Sequence, residues 1–146
     1  MKIARFFFIP VLVLILLFTS SCKKDKQEAV FSCKIDGTAY SGIEDAYYYS
    51  SNGILVIRLN FSSTRFDLQA DNCLGTFSYG SNFIIAQVRH GGDIYTTFFG
   101  GSGAITLSEY EDGVVSGTFH FTAEGLSSGY IDVTEGKFDH VKLLDQ

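Results

Sequence analysis

Beyond its first 28 residues the chain alternates apolar and polar positions with a period of two, and glycine interrupts the alternation at short intervals. Leu55, Ile57, Leu59 and Phe61 take one side of a run whose other side is Val56, Arg58 and Asn60. Phe83, Ile85, Gln87 and Arg89 alternate with Ile84, Ala86 and Val88 in the same way. Val115, Gly117, Phe119, Phe121 and Ala123 share a face opposite Ser116, Thr118, His120 and Thr122, and Ile131 and Val133 alternate with Tyr130, Asp132 and Thr134. No window places apolar residues at i, i+3, i+4 and i+7 over three turns, so the pattern predicts strands and not helices.

Between the runs stand residues that tolerate positive φ: Asp36-Gly37, Gly80-Ser81-Asn82, Gly91-Gly92-Asp93, Glu111-Asp112-Gly113 and Glu135-Gly136. Gly100-Gly101-Ser102-Gly103 reads as a further hairpin connection. It leads into a strand-like run without the Lys-Ser or Lys-Thr and helix that a phosphate cradle needs. Short strands joined by such turns predict an antiparallel sheet with one apolar face, which must pack on a second sheet or close on itself. The expectation is a single all-β domain over residues 29–146, a β-sandwich or barrel-like form of about nine or ten strands. Gly42 to Asn52, with its Tyr47-Tyr48-Tyr49 triplet, is the least regular stretch and reads as a loop, a short helical turn or an edge strand.

The N-terminus has a different logic. Lys2 and Arg5 precede an apolar run from Phe6 to Phe18, followed by Thr19, Ser20, Ser21 and Cys22. The run is too short to cross a hydrocarbon core, which takes ~20 helical residues. Its order of positive, apolar and small residues describes a cleaved secretory signal over residues 1–21, and an uncleaved anchor is the alternative. Cys22, directly after small residues, resembles the lipidation site of a bacterial lipoprotein signal, although Thr19 stands where the usual box prefers Leu. The resemblance implies a diacylglyceryl group on the Cys22 thiol and a mature chain beginning there. Each buried CH₂ contributes ~0.8 kcal/mol, so two or three acyl chains hold where one exchanges. Residues 22–28 then form the lipidated cysteine and a polar tether, Lys23-Lys24-Asp25-Lys26-Gln27-Glu28.

Composition narrows the class. Of 146 residues 46% are hydrophobic and 15% aromatic, a load that excludes long disorder. Net charge is −5, and loss of Lys2 and Arg5 with the signal makes the mature chain more acidic still. An acidic chain without basic clusters argues against nucleic acid as a partner.

Phe31-Ser32-Cys33-Lys34-Ile35-Asp36-Gly37, Gly75-Thr76-Phe77, and the C-terminal block from Ile105-Thr106-Leu107 through Val115-Ser116-Gly117-Thr118-Phe119 to Gly136-Lys137-Phe138 together resemble a group of small Bacteroidetes lipoproteins. The resemblance implies an antiparallel β domain on a lipid anchor in the cell envelope, at the outer membrane, facing either the periplasm or the cell surface. It carries no activity, cofactor or functional residue with it.

Candidate chemistry is sparse. Cys33 and Cys73 are an even pair in an oxidising compartment, and a disulfide between them would stabilise by roughly 3–4 kcal/mol; two unpaired thiols are the alternative. His90, His120 and His140 lack metal-ligand spacing, so no metal site and no cofactor are expected. If Glu135-Gly136 is a two-residue hairpin loop, Asp132 faces Asp139, a pairing that could bind Ca²⁺ or serve a glycosidase, or else splay into water. No nucleophile elbow is present, so no catalytic residue is expected. Tyr47, Tyr48 and Tyr49, with Tyr40 nearby, form the candidate binding surface: adjacent rings on an extended segment cannot all face one core, and an outward ring suits sugar stacking or protein contact, unless it lies under another element. The expected role is a non-catalytic binding module for glycan or an envelope protein, held to the membrane by lipid on Cys22. The alternatives are a carboxylate-dependent hydrolase and a purely structural envelope protein.

Replacing Cys22 with Ala should abolish lipid attachment and signal processing. Metabolic labelling with a clickable fatty acid reads this directly, and equal labelling of mutant and parent would end the lipoprotein reading.

Overall fold

The computed structural model describes residues 28–80 and 84–144, so the signal and Cys22 lie outside the described residues. The described residues form ten strands: β1 (Val30–Ile35), β2 (Thr38–Ser41), β3 (Asp45–Ser51), β4 (Ile54–Phe61), β5 (Thr64–Asp71), β6 (Gly75–Tyr79), β7 (Ala86–His90), β8 (Asp93–Glu111), β9 (Val114–Gly125) and β10 (Tyr130–Leu143). Four of the connections are tight turns at Asp36-Gly37, Asn52-Gly53, Gly91-Gly92 and Asp112-Gly113. Both residues of each have positive φ, between 48° and 86°. That left-handed pair gives a turn whose twist matches the strands it joins. The irregular segment with the three tyrosines is β3, and it is an interior strand.

β9 is the hub. It hydrogen-bonds to β8 on one side and to β10 on the other. Those two neighbours are the longest strands, and each serves two partners along its far edge. β10 pairs with β1 from Val133 to Asp139 and then, in parallel, with β3 at Lys142 and Leu143. β8 pairs with β7 from Asp93 to Thr96 and with β6 from Gly103 to Leu107. β3, β4, β5 and β7 continue in that order, so the hydrogen-bonded ring β9-β10-β3-β4-β5-β7-β8 closes on itself. The sheet is antiparallel except at the junction of β10 with β3. The ring is flattened enough for opposite walls to touch: Phe66 on β5 lies 5.5 Å from Phe31 on β1 and 5.6 Å from Phe119 on β9.

Alternation sorts the faces as expected. Val115, Phe119, Phe121, Ile131 and Val133 are buried, while Thr118 and His120 face solvent. Thr122, expected on the same open face, is half-buried, and its hydroxyl donates to Asp132.

Two glycine-rich sites expected to be turns lie inside strands. Glu135-Gly136 is a bulge in β10, where the step from Val133 to Gly136 spans only Phe121 to Phe119 of β9. A Cβ on Gly136 would sit 2.5 Å from the Phe119 carbonyl oxygen and 2.6 Å from its ring. The glycine therefore serves close packing. With no hairpin there, Asp132 pairs across to Thr122 and does not face Asp139. Gly101 and Gly103 likewise belong to β8, where a Cβ would meet the carbonyl oxygens of Thr122 and His120 at 1.9 and 2.2 Å.

Phe119→Ala should cost about 3–5 kcal/mol by leaving a cavity among the rings, and Thr118→Ala less than about 0.5 kcal/mol. Gly136→Ala should also destabilise, since its methyl group displaces Phe119. Urea unfolding of the three variants tests the assignment; equal small losses would mean that the β9 faces are reversed.

Candidate binding surface

The four candidate tyrosines do not form one surface. Tyr48, at 4% exposure, belongs to the core and meets Tyr110 edge-on at 5.9 Å. Burial, and then the neighbouring Tyr110 phenol, raise its pKa. Tyr40 packs on Phe61 at 5.6 Å and against His90 at 5.7 Å. Tyr47 and Tyr49 do point outward, but the Arg58 guanidinium lies over both rings, 5.7 and 6.0 Å from their centroids. Register explains the stack, because Tyr47, Arg58 and Asp67 are directly opposite one another on β3, β4 and β5. Arg58 donates to the Tyr47 hydroxyl at 2.9 Å and to Asp67 at 2.5 Å, and Arg65 pairs with the other Asp67 oxygen at 3.0 Å. Burial works against the charge on Arg58, but these hydrogen bonds outweigh it and raise its pKa. The row is a cross-strand ladder whose ring faces are already occupied.

The two cysteines are both free. Cys33 is buried on β1 and Cys73 is exposed after β5, so the expected disulfide is not formed. Burial pushes the Cys33 thiol up to about 12. Two shallow depressions, of about 220 and 240 Å³, lie beside Tyr40 and beside His90; each is lined by a single carboxylate residue, Glu135 and Asp93 respectively. Neither offers the carboxylate pair of a glycosidase.

A different surface stands out at the other end of β8. Between Thr96 and Gly101 the strand carries four extra residues opposite a single step of β9, from Glu124 to Ala123. Thr97 points inward and its hydroxyl accepts the Ala86 N–H at 3.0 Å, while the Thr96 hydroxyl accepts the Phe98 N–H at 3.2 Å. This fastening throws both rings outward: Phe98 and Phe99 are each 63% exposed, 5.2 Å apart and nearly perpendicular at 79°. Tyr130, also 63% exposed, brings its hydroxyl beside Gly100. Exposed Leu126 begins the β9–β10 turn and donates its N–H to Ile94 at 2.9 Å.

Asp93 pins that turn by accepting from the Ser128 hydroxyl at 2.6 Å and the Ser127 N–H at 3.2 Å. The Ser128 bond, followed by that from Ile94, holds the Asp93 carboxyl below the usual carboxylate range. The sequence did carry a signal for this surface. Two adjacent phenylalanines in a strand cannot both point inward, and the Gly pair after them marks an irregularity.

A family described as a domain of unknown function (DUF6252) matches residues 27–142, from just before β1 to the penultimate residue of β10. The chain belongs to the DUF6252 family. No curated protein and no solved structure matches it. The matched span holds all of the sheet but Leu143, so the exposed Phe98-Phe99 bulge is part of the DUF6252 domain itself.

In the folded DUF6252 domain a thiol reagent at pH 8 should modify Cys73 at once and leave Cys33 untouched until denaturant is added. Mass-spectrometric mapping of the labelled residues checks this. Resistance of both residues, relieved only by a reductant, would instead establish a bridge.

Proposed function

We propose that this protein is a lipid-anchored envelope module that binds a protein partner through Phe98 and Phe99 and performs no chemistry of its own. The observation that carries this reading is the fastened bulge of β8. Two large apolar rings are held in water by a bulge tied down at the Phe98 N–H and at the Thr97 hydroxyl, which reduces the ordering left to be done on binding. Their geometry favours protein over glycan. A sugar ring stacks on a flat, open aromatic face, whereas an edge-to-face pair makes a knob that fits an apolar pocket.

Placement supports the same reading. The tether enters at Val30, which pairs with Asp139 near one end of β10, and Tyr130 and the bulge lie at the other end. Nine residues of bulged strand put roughly 25 Å between the two. A chain held at Cys22 would then present its phenylalanines away from the bilayer, not into it.

A photo-crosslinking residue at position 99, introduced in the native envelope, should yield a discrete cross-linked protein. The Phe98→Ala/Phe99→Ala double variant should keep its melting temperature within a few degrees and bind that partner about 30-fold more weakly, the loss of a hot spot of about 2 kcal/mol. Tyr47→Ala should leave binding intact. Loss of glycan-array binding in place of a protein contact would replace the partner class, and unchanged binding by the double variant would overturn the surface.

A further inference from the structure

At the tether end of β9, on the outer face of the sheet, two further bulges converge on one serine. Ser116 points to the side that Thr118 and His120 share, yet it is only 6% exposed. β8 has one extra residue at Ser108, so Glu109 falls opposite Ser116. β10 has one extra residue between Phe138 and Val141, which places Asp139 and His140 on the other side. The Ser116 hydroxyl lies 2.6 Å from Glu109 Oε2 and 2.9 Å from Asp139 Oδ1, and its oxygen accepts the His140 backbone N–H at 3.1 Å. His140 Nδ1 is shut off from solvent and lies 2.9 Å from Asp139 Oδ1, a contact that is an ion pair only with a protonated imidazole and that lacks the geometry of a hydrogen bond.

The donors and acceptors do not balance. A serine hydroxyl carries one proton and can donate it to Glu109 or to Asp139, not to both. One carboxylate oxygen therefore faces a bare hydroxyl oxygen, and the imidazole nitrogen beside Asp139 is not hydrogen-bonded to it. Among the described residues no lysine or arginine pairs with either carboxylate, and the single ion-pair partner of Asp139 is His140, which carries charge only when protonated. With a neutral imidazole the two carboxylates have no cationic partner.

We propose that Glu109, Asp139 and His140 Nδ1 bind a divalent transition-metal ion, Zn²⁺ by preference, with Ser116 orienting the carboxylates from behind. Their ligand atoms all lie within 4.8 Å of one another. Zn–ligand bonds of roughly 2.0–2.1 Å set tetrahedral ligands about 3.4 Å apart, so the widest gap closes by little more than an ångström, a movement within the reach of the Glu109 side chain. Two carboxylates neutralise a divalent charge. The imidazole argues against Ca²⁺ and Mg²⁺, which prefer oxygen alone, and the absence of thiolate from the set argues against Cu(I). The histidines were unreadable as ligands from spacing, because only one of the three takes part and its companions come from two strands.

The test is calorimetric titration of the purified protein with ZnCl₂, using a Cys73→Ser background and no histidine tag, and with Co²⁺ absorption as a second readout. One saturable site, a tetrahedral Co²⁺ spectrum and a raised melting temperature are expected. His140→Asn keeps a residue type that tolerates the positive φ of 55° at this position. It and Asp139→Asn should each weaken binding at least about ten-fold, whereas His120→Asn should not. Imidazole ¹⁵N–¹H spectra of the parent need no core variant and should show Zn²⁺ shifting His140 but neither His90 nor His120. Absence of saturable binding, equal affinity in His140→Asn and His120→Asn, or Ca²⁺ binding as tight as Zn²⁺ would overturn the site.

Discussion

Two phenylalanines and two glycines fix the seam on which the rest of the sheet depends. Phe119 on β9 lies opposite Gly136 on β10, and two residues along, Gly117 on β9 lies opposite Phe138 on β10. Each ring occupies the space that its partner's missing side chain leaves. A Cβ on Gly117 would come within 2.8 Å of the Phe138 ring, just as one on Gly136 would come within 2.6 Å of the Phe119 ring. The exchange locks the register of β9 against β10, since a slip of one residue would set each ring against a Cβ and turn the apolar set to solvent. With that seam fixed, Phe119 stands within reach of Phe66 and Phe31, and the two walls of the ring close around the aromatic cluster.

Closure also requires β8 and β10 to leave one partner strand for another along the same edge, and a regular strand does not bend that sharply. Both strands take up the bend in bulges. A bulge breaks the alternation of faces locally, so every place where the sheet bends becomes a place where a side chain is re-aimed. The four-residue insertion in β8 puts Phe98 and Phe99 outside. The single insertions at Ser108 and at Asp139-His140 bring two carboxylates and an imidazole over one hydroxyl. In this fold, display of side chains is a by-product of making the barrel close.

What the sequence made legible follows from the same distinction. Period-two alternation is local, so the runs that form β4, β7, β9 and the start of β10, the faces of β9 and the turns at Asp36-Gly37 and Asp112-Gly113 could be read residue by residue, whereas β3 could not. Glycine was ambiguous because it answers two different needs. At Asp36-Gly37 and Asp112-Gly113 it supplies positive φ in a turn, while at Gly136 it makes room for a ring across the strand pair, and only the partner strand distinguishes the two. The tyrosine triplet showed the limit from the other side. Alternation indicated that Tyr48 and its neighbours face opposite ways, but not that Arg58 would arrive from β4 to cover the outward pair. Glu109, Ser116, Asp139 and His140 lay furthest from view, since their meeting depends on two register shifts that no local pattern encodes.

The two irregular regions of β8 lie at opposite ends of its pairing with β9, and this gives the domain a polarity. The end carrying Ser116 and Asp139 is the end at which β1 begins. The six residues from Lys23 to Glu28 span at most about 20 Å when extended, so, on the proposed lipid anchor at Cys22, that end would stay close to the headgroups and the Phe98-Phe99 end would be carried beyond it. An apolar knob at the near end would be drawn into the bilayer and lost to any soluble partner, whereas at the far end it meets only water or another protein. The acidic cluster has the complementary logic. Beside an anionic leaflet two adjacent carboxylates are costly unless a cation accompanies them, and the region near such a surface is where cations concentrate. The bend that closes the barrel thus separates an apolar contact from a charged one along a single strand.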